Sequence, residues 1–152
     1  MSFFDAISIA ASGLTAERVR MDVTAENLAN AQSTRTANGG PYRRKEVVLE
    51  STGGGGGFAS ALASARAGGG SGAGGPDGGV RVAGIVEDQS PNRLVYDPGH
   101  PDANAQGYVS MPDVNPVTEM VDLITASRSY EANVTAMQTS KQMFTKTLDL
   151  LR

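Results

Sequence analysis

The chain of 152 residues contains no cysteine, no tryptophan and a single histidine, His100. Without cysteine it has no disulfide framework, no thiol nucleophile and no cysteine-based metal site. One histidine cannot supply the three or four ligands that a zinc site usually needs. These absences exclude disulfide-stabilised folds and the commonest metal centres, and we expect no cofactor.

Basic clusters and long apolar runs are also missing. The net charge is −3, and no basic run extends beyond residues 43–45, so the electrostatic footprint of a nucleic-acid-binding protein is absent. No stretch approaches the roughly 20 apolar residues that span a bilayer. Residues 1–14 lack the basic start and apolar core of a signal peptide. We therefore expect no nucleic-acid partner, no lipid insertion and no cleaved signal peptide.

Catalytic motifs are equally scarce. His100 lies in a turn-rich segment, where a single histidine is typical of a solvated loop. The glycine-rich run 68–79 lacks the Gly-Lys-Ser/Thr ending of a phosphate-binding loop, and Ser71 is not framed as Gly-x-Ser-x-Gly. The sequence does not predict an enzyme.

The most informative positive feature is a heptad-spaced apolar pattern at each end of the chain, which is the spacing of a helix-to-helix seam. The first seam contains Ile7, Leu14, Met21 and Leu28, and the second contains Met120, Leu123, Tyr130, Val134, Met137, Phe144 and Leu148. Asn115 followed by Pro116 is a signal for the start of the second helix. We predict long N- and C-terminal helices, paired as a coiled-coil-like helical hairpin.

The middle of the chain predicts a small β-rich region. Runs rich in valine and other strand formers occupy residues 42–50 and 80–86, with short extended pieces near 94–96 and 108–110. Residues 53–79 hold 13 of the 19 glycines and are too poor in apolar surface to offset their ordering entropy. The predicted fold is therefore mainly α with a small β region, and its glycine-rich loop 53–79 is expected to be flexible.

The sequence thus predicts three segments: an N-terminal helix at 1–31, a small β-rich domain at 32–114 and a C-terminal helix at 115–152. A helix of about 36 residues would be roughly 54 Å long, about three times the mean length in globular proteins. A hairpin of two such helices leaves apolar flanks uncovered, at Val117, Val121, Ile124 and Leu150. We expect other chains to cover them, with a monomeric helical hairpin on a small β domain as the alternative.

Short motifs run along nearly the whole chain, at residues 12–14 (SGL), 24–31 (TAENLANA), 41–45 (PYRRK), 94–101 (LVYDPGHP), 107–115 (GYVSMPDVN), 119–122 (EMVD), 126–134 (ASRSYEANV) and 141–143 (KQM). In order and spacing these motifs resemble the axial proteins of the bacterial flagellum, the family of rod, hook and hook-junction subunits. The similarity is greatest to the rod members.

The resemblance implies a structural subunit of the proximal rod of the flagellar basal body, which assembles helically through its terminal helices, transmits torque and lines the export channel. It implies partners among copies of the chain itself, other rod proteins and an export-gate or ring junction protein at the proximal end. The implied location is the rod in the periplasmic space, reached by type III export without a cleaved signal peptide. An axial protein of distal-rod or hook type, or a soluble helical-hairpin adaptor, is the alternative.

Two sets of residues are candidates for the assembly interface that the resemblance implies. The residues of the two seams would form the helix pair and its contacts with neighbouring subunits. Asn27, Asn30, Arg128 and Asn133 would supply polar pairing that fixes the helix register, because a desolvated polar group must find a partner. Ordinary helix surface and helix capping are the alternative role for these four residues.

Replacing Leu123 by Asp should abolish assembly, because the new carboxylate would have to be buried in the seam. Deleting residues 68–75 should be tolerated if that loop faces solvent. Incorporation of each variant into basal bodies measures both effects. Wild-type incorporation of the Leu123→Asp variant would contradict the seam assignment.

Overall fold

The computed structural model describes residues 3–37, 39–52 and 78–150. Two long helices lie toward the ends of the chain, α1 at Phe3–Ala29 and α2 at Pro116–Leu150. Between them the described residues form four short strands: β1 at Lys45–Ser51, β2 at Val80–Glu87, β3 at Arg93–Tyr96 and β4 at Tyr108–Met111. The prediction of a mainly helical protein with a small β region is confirmed. Nearly all of the predicted glycine-rich loop lies outside the described residues.

The predicted start of the second helix is confirmed in atomic detail. The Asn115 side-chain oxygen accepts a hydrogen bond from the backbone N–H of Val117 at 3.0 Å, which is the usual bond of a helix N-cap. Pro116 occupies the first helical position, where its missing N–H costs nothing. At 35 residues, α2 is about 52 Å long. Among the described residues, no helix is apolar enough over sufficient length to cross a membrane.

The strands form two separate two-stranded sheets, β1 with β2 and β3 with β4. The second sheet is antiparallel and pairs Arg93 with Met111 and Tyr96 with Tyr108. Val109 of β4 is fully buried, whereas the preceding residue, Tyr108, is exposed. The alternation follows from the pleat, which turns successive side chains to opposite faces.

Gly107 closes the β3–β4 connection. Its φ of +79° lies in the left-handed region, and a Cβ at this position would be 2.9 Å from the ring of Tyr96. Its carbonyl accepts a hydrogen bond from the backbone N–H of Asp97 at 2.9 Å. Glycine is required here both by the backbone conformation and by the close approach of the tyrosine.

The chain divides into two compact units. The terminal unit comprises Met1–Arg18, Leu49–Ala83 and Arg128–Arg152, and the central unit comprises Val19–Val48 and Gly84–Ser127. Each unit contains part of both long helices, so each has its own helix-to-helix contacts.

In the terminal unit the two helices run antiparallel. The ring centroids of Phe4 and Phe144 are 6.4 Å apart, and Gly13 lies against Asn133. A Cβ on Gly13 would come within 2.8 Å of the Asn133 amide nitrogen, so the missing side chain permits the close approach. Among the described side chains of this unit, Ala16 is the buried apolar residue.

The central unit contains most of the buried apolar side chains. Ala31, Tyr42 and Val114 form one buried cluster, and Ala126 of α2 is fully buried. Val23 of α1 is also buried. The core is small, as expected from a composition with little large apolar material.

Gly107→Ala should lower the free energy of unfolding by about 1–3 kcal/mol, because alanine pays for the left-handed backbone and its methyl group meets the Tyr96 ring. Gly99→Ala in the same connection is the matched control. A Cβ at Gly99 would have its nearest contact at an ordinary 3.5 Å, from Asp97. Urea unfolding of the purified chain measures both variants, and equal stability of the two would contradict this account of the turn.

Candidate assembly interface

A buried side-chain amide stands at the centre of the central unit. Asn27 of α1 is 1% exposed. Its oxygen accepts hydrogen bonds from the backbone N–H of Lys45 and the hydroxyl of Tyr42, each at 2.9 Å. Its nitrogen donates to the Lys45 carbonyl at 2.9 Å and to a Glu119 carboxylate oxygen at 3.0 Å. All four hydrogen-bonding positions of the amide are therefore satisfied.

Glu119, in the first turn of α2, is equally buried at 1% exposed. Its second carboxylate oxygen accepts a hydrogen bond from Arg44 Nε at 2.7 Å. The same guanidinium lies 3.8 Å from the Asp122 carboxylate. A buried carboxylate needs this compensation, and its place at the positive N-terminal end of a helix favours it further.

The ionisable partners keep the protonation states that the bonds require. The hydrogen bond to Glu119 raises the pKa of Arg44 above its usual value, which keeps the guanidinium charged. Burial, with smaller contributions from the negative charges of Glu26, Glu119 and Glu87, raises the pKa of Tyr42 to about 12. Its hydroxyl therefore stays protonated at neutral pH and donates to Asn27.

These contacts join three parts of the chain: the end of α1, the start of β1 and the start of α2. We call Asn27, Tyr42, Arg44, Lys45 and Glu119 the polar network. It is suited to fixing register rather than to catalysis, because its groups are buried and engaged with one another. In the described part of the chain, no group of three or more His, Cys, Asp or Glu side chains is placed to hold a metal ion.

The four residues predicted to fix register are not brought together. Asn27 is in the polar network, whereas Asn30 donates to the Glu26 carbonyl at 2.9 Å at the end of α1. Asn133 is half-buried against Gly13, and Arg128 is exposed. Neither of these two side chains has a hydrogen bond or an ion pair to another described residue.

The seam residues have varied exposure in the single chain. Most are half-buried: Ile7, Leu14, Met21, Leu28, Leu123, Tyr130, Val134 and Met137. Exposed positions are Met120, Phe144 and Leu148. The most buried helix positions are other residues, among them Ala16, Asn27, Glu119 and Ala126. The single chain thus leaves much of the seam available to contact other chains.

An apolar stripe on α2 has no cover in the central unit. Val117, Val121 and Ile124 are 64%, 57% and 53% exposed, as expected from their positions on the flank of the helix. They recur one turn apart, so they share one side of the helix. We call these three residues the outer stripe. Contiguous exposed apolar surface of this kind is typical of an interaction site.

The terminal unit contains an apolar groove of about 490 Å³. Small residues of both helices line it together with three larger apolar side chains: Ala6, Ala10, Gly13 and Ala16 of α1, Ala136 and Ser140 of α2, and the larger Ile9, Leu49 and Val80. Glu17 and Asn133 are polar groups at its wall. Because most of the lining side chains are small, another helix can approach α1 closely here.

Tyr42, Arg44 and Glu119 were not identified from the sequence as site residues. The available signal was their position within motifs, at residues 41–45 and 119–122. Apolar periodicity cannot find such groups, because a buried polar contact joins residues distant in sequence and leaves no periodic pattern.

Comparison with known proteins gives consistent matches over the whole chain. A family model described as flagella basal body rod protein matches residues 7–35, and one described as flagellar basal body rod FlgEFG protein C-terminal matches residues 105–150. The chain is 51% identical to flagellar basal-body rod protein FlgC of Bacillus subtilis, with 99% of each chain covered. It is 43% identical to FlgC of Borreliella burgdorferi, covering 100% of this chain and 99% of the relative. It is also 43% identical to FlgC of Escherichia coli O157:H7, covering 99% and 98%.

Asn27→Ala should lower the free energy of unfolding by about 2–4 kcal/mol, because it leaves several buried partners without their hydrogen bonds. Asn30→Ala, near the end of the same helix, is the matched control and should cost under about 1 kcal/mol, since its two hydrogen bonds, to the Glu26 carbonyl and from the Ser33 hydroxyl, are local and not fully buried. Chemical denaturation followed by circular dichroism measures both. Similar losses for the two variants would show that the buried amide has no special role.

Proposed function

The chain belongs to the FlgC family of flagellar basal-body rod proteins, and on that premise we propose that it is a structural subunit of the proximal rod. Membership confirms the family predicted from the motifs, and its relatives are structural proteins rather than enzymes. In this role the subunit assembles with other basal-body rod proteins, transmits torque and lines the export channel.

The observation that carries the proposal is the poor cover of α2 in a single chain. Between residues 127 and 149 of this helix, no side chain is buried. Long helices in proteins owe most of their stability to packing of one face against other elements. A helix 35 residues long with so little burial is suited to packing against neighbouring subunits.

The seams would supply this packing as a coiled-coil-like arrangement within and between subunits. The antiparallel approach of α1 and α2 in the terminal unit supports this arrangement. The residues proposed for these contacts are Ile7, Leu14, Met21, Leu28, Met120, Leu123, Tyr130, Val134, Met137, Phe144 and Leu148. Arg128 and Asn133, which have no polar partner among the described residues, would fix register between subunits.

We also propose individual binding partners and a cellular location for the subunit. The subunit would contact copies of itself, other rod proteins and an export-gate or ring junction protein at the proximal end. It would lie in the rod within the periplasmic space after type III export without a cleaved signal peptide. These assignments rest on the resemblance to flagellar axial proteins.

Immunogold labelling of purified basal bodies tests the proposal directly. An antibody against this chain should label the proximal end of the rod in electron micrographs. Basal bodies from cells that lack the gene provide the control for antibody specificity. Label at the hook or the distal rod would indicate another axial protein, and no label on the basal body would favour a soluble adaptor.

A further inference from the structure

We propose that the apolar groove of one subunit receives the outer stripe of α2 from a second copy of this chain. The inference rests on the proposed function, because it takes the chain to be a repeating rod subunit. It adds the pair of surfaces through which successive copies meet.

Residues of the groove and of the outer stripe recur at the same spacing along their helices. On α1, the groove presents Ala6, Ala10, Gly13 and Glu17 at steps of four, three and four residues. On α2, the outer stripe continues to Arg128, and the side chains Val117, Val121, Ile124 and Arg128 follow the same steps. Each set covers 11 residue steps, about 16 Å of helix. At three of these four positions, Ala6, Ala10 and Gly13, a small residue on one surface can therefore face a large one on the other.

The antiparallel helices of the terminal unit indicate the direction of the contact. Within the terminal unit α1 and α2 are antiparallel. If copies repeat around an axis that runs along these helices, α2 of the next copy is also antiparallel to α1. That direction places Ile124 over Ala10 and Val121 over Gly13. The branched side chains of Ile124 and Val121 then lie where the α1 side chains of the groove are smallest.

Charge at the two ends of the groove favours the same alignment. Glu17 would face Val117, at the amino end of the neighbouring α2, where the helix dipole favours a carboxylate. Arg128 of the neighbour would lie beside Ala6, next to Asp5. A carboxylate would thus face the positive end of a helix dipole at one end of the groove, and the exposed Arg128 would lie near an acidic residue at the other end.

The geometry of such a contact is suited to a rod. The groove and the outer stripe are different surfaces of one chain, so a copy that offers its stripe still has a free groove. A contact between unlike surfaces generates a closed ring if the rotation returns to the start. If the rotation does not close, the contact repeats and generates a helical assembly.

Paired cysteines test the contact, because the chain has no cysteine of its own. Cells whose only copy carries Ala10→Cys and Ile124→Cys should yield basal bodies that give a ladder of dimers, trimers and larger species on oxidation. Each single variant should stay monomeric. A bond within one chain would leave that chain monomeric, so dimers and larger species report bonds between chains.

Thr125→Cys in place of Ile124→Cys is the matched control. Thr125 is exposed, and its hydroxyl donates a hydrogen bond to the Val121 carbonyl at 2.8 Å. It lies about a quarter turn from Ile124 around the helix. The variant that combines Ala10→Cys with Thr125→Cys should give few cross-linked dimers or larger species. If the Ala10 and Ile124 substitutions prevent incorporation, the pair Ala6→Cys and Arg128→Cys at exposed positions tests the same alignment.

The outcomes separate this inference from the proposed function. Monomer bands alone, from basal bodies that contain the chain, would overturn the groove contact while leaving the rod assignment intact; a groove filled by another protein gives this result. Dimers from Ile124→Cys alone, or an equal ladder from the Thr125 control, would also overturn it. Absence of the wild-type chain from basal bodies would overturn both.

Discussion

The hydrogen bonds of the Asn27 side chain are the interaction on which the rest of the central unit depends. A buried amide with four satisfied positions joins the end of α1 to the backbone of β1 and to a buried carboxylate at the start of α2. Burial of these groups is tolerable only because each has a partner. The same requirement makes the arrangement specific, since a shift of either helix by one residue would leave Glu119 and Arg44 without compensation.

The two units use different means to hold the same two helices. In the central unit the polar network and the buried cluster around Tyr42 provide the contact. In the terminal unit the helices meet through small residues such as Gly13 and Ala16, with an apolar groove between them and the sheet. A fixed register in one unit and open apolar surface in the other suit a subunit whose helices must also pack against neighbours.

The sequence was sufficient for the elements but not for their contacts. Apolar periodicity, the Asn115–Pro116 signal and the valine-rich runs located both helices and all four strands to within a few residues, because these are local properties. The heptad pattern did not reveal that Glu119 and Ala126 are the most buried positions of α2, since it records apolar spacing and is blind to buried polar pairs. Asn27 was identified as a register residue, but its partners were not, because they lie 15 to 92 residues away along the chain.

A double-mutant cycle between Asn27→Ala and Glu119→Ala tests the central claim most directly. Unfolding free energies of the wild type, both single variants and the double variant give the coupling between the two side chains. If the polar network joins α1 to α2, the double variant should be less destabilised than the sum of the singles, with a coupling of about 1–3 kcal/mol. Additive effects, within about 0.5 kcal/mol, would contradict the claim that this buried contact fixes the register of the two helices.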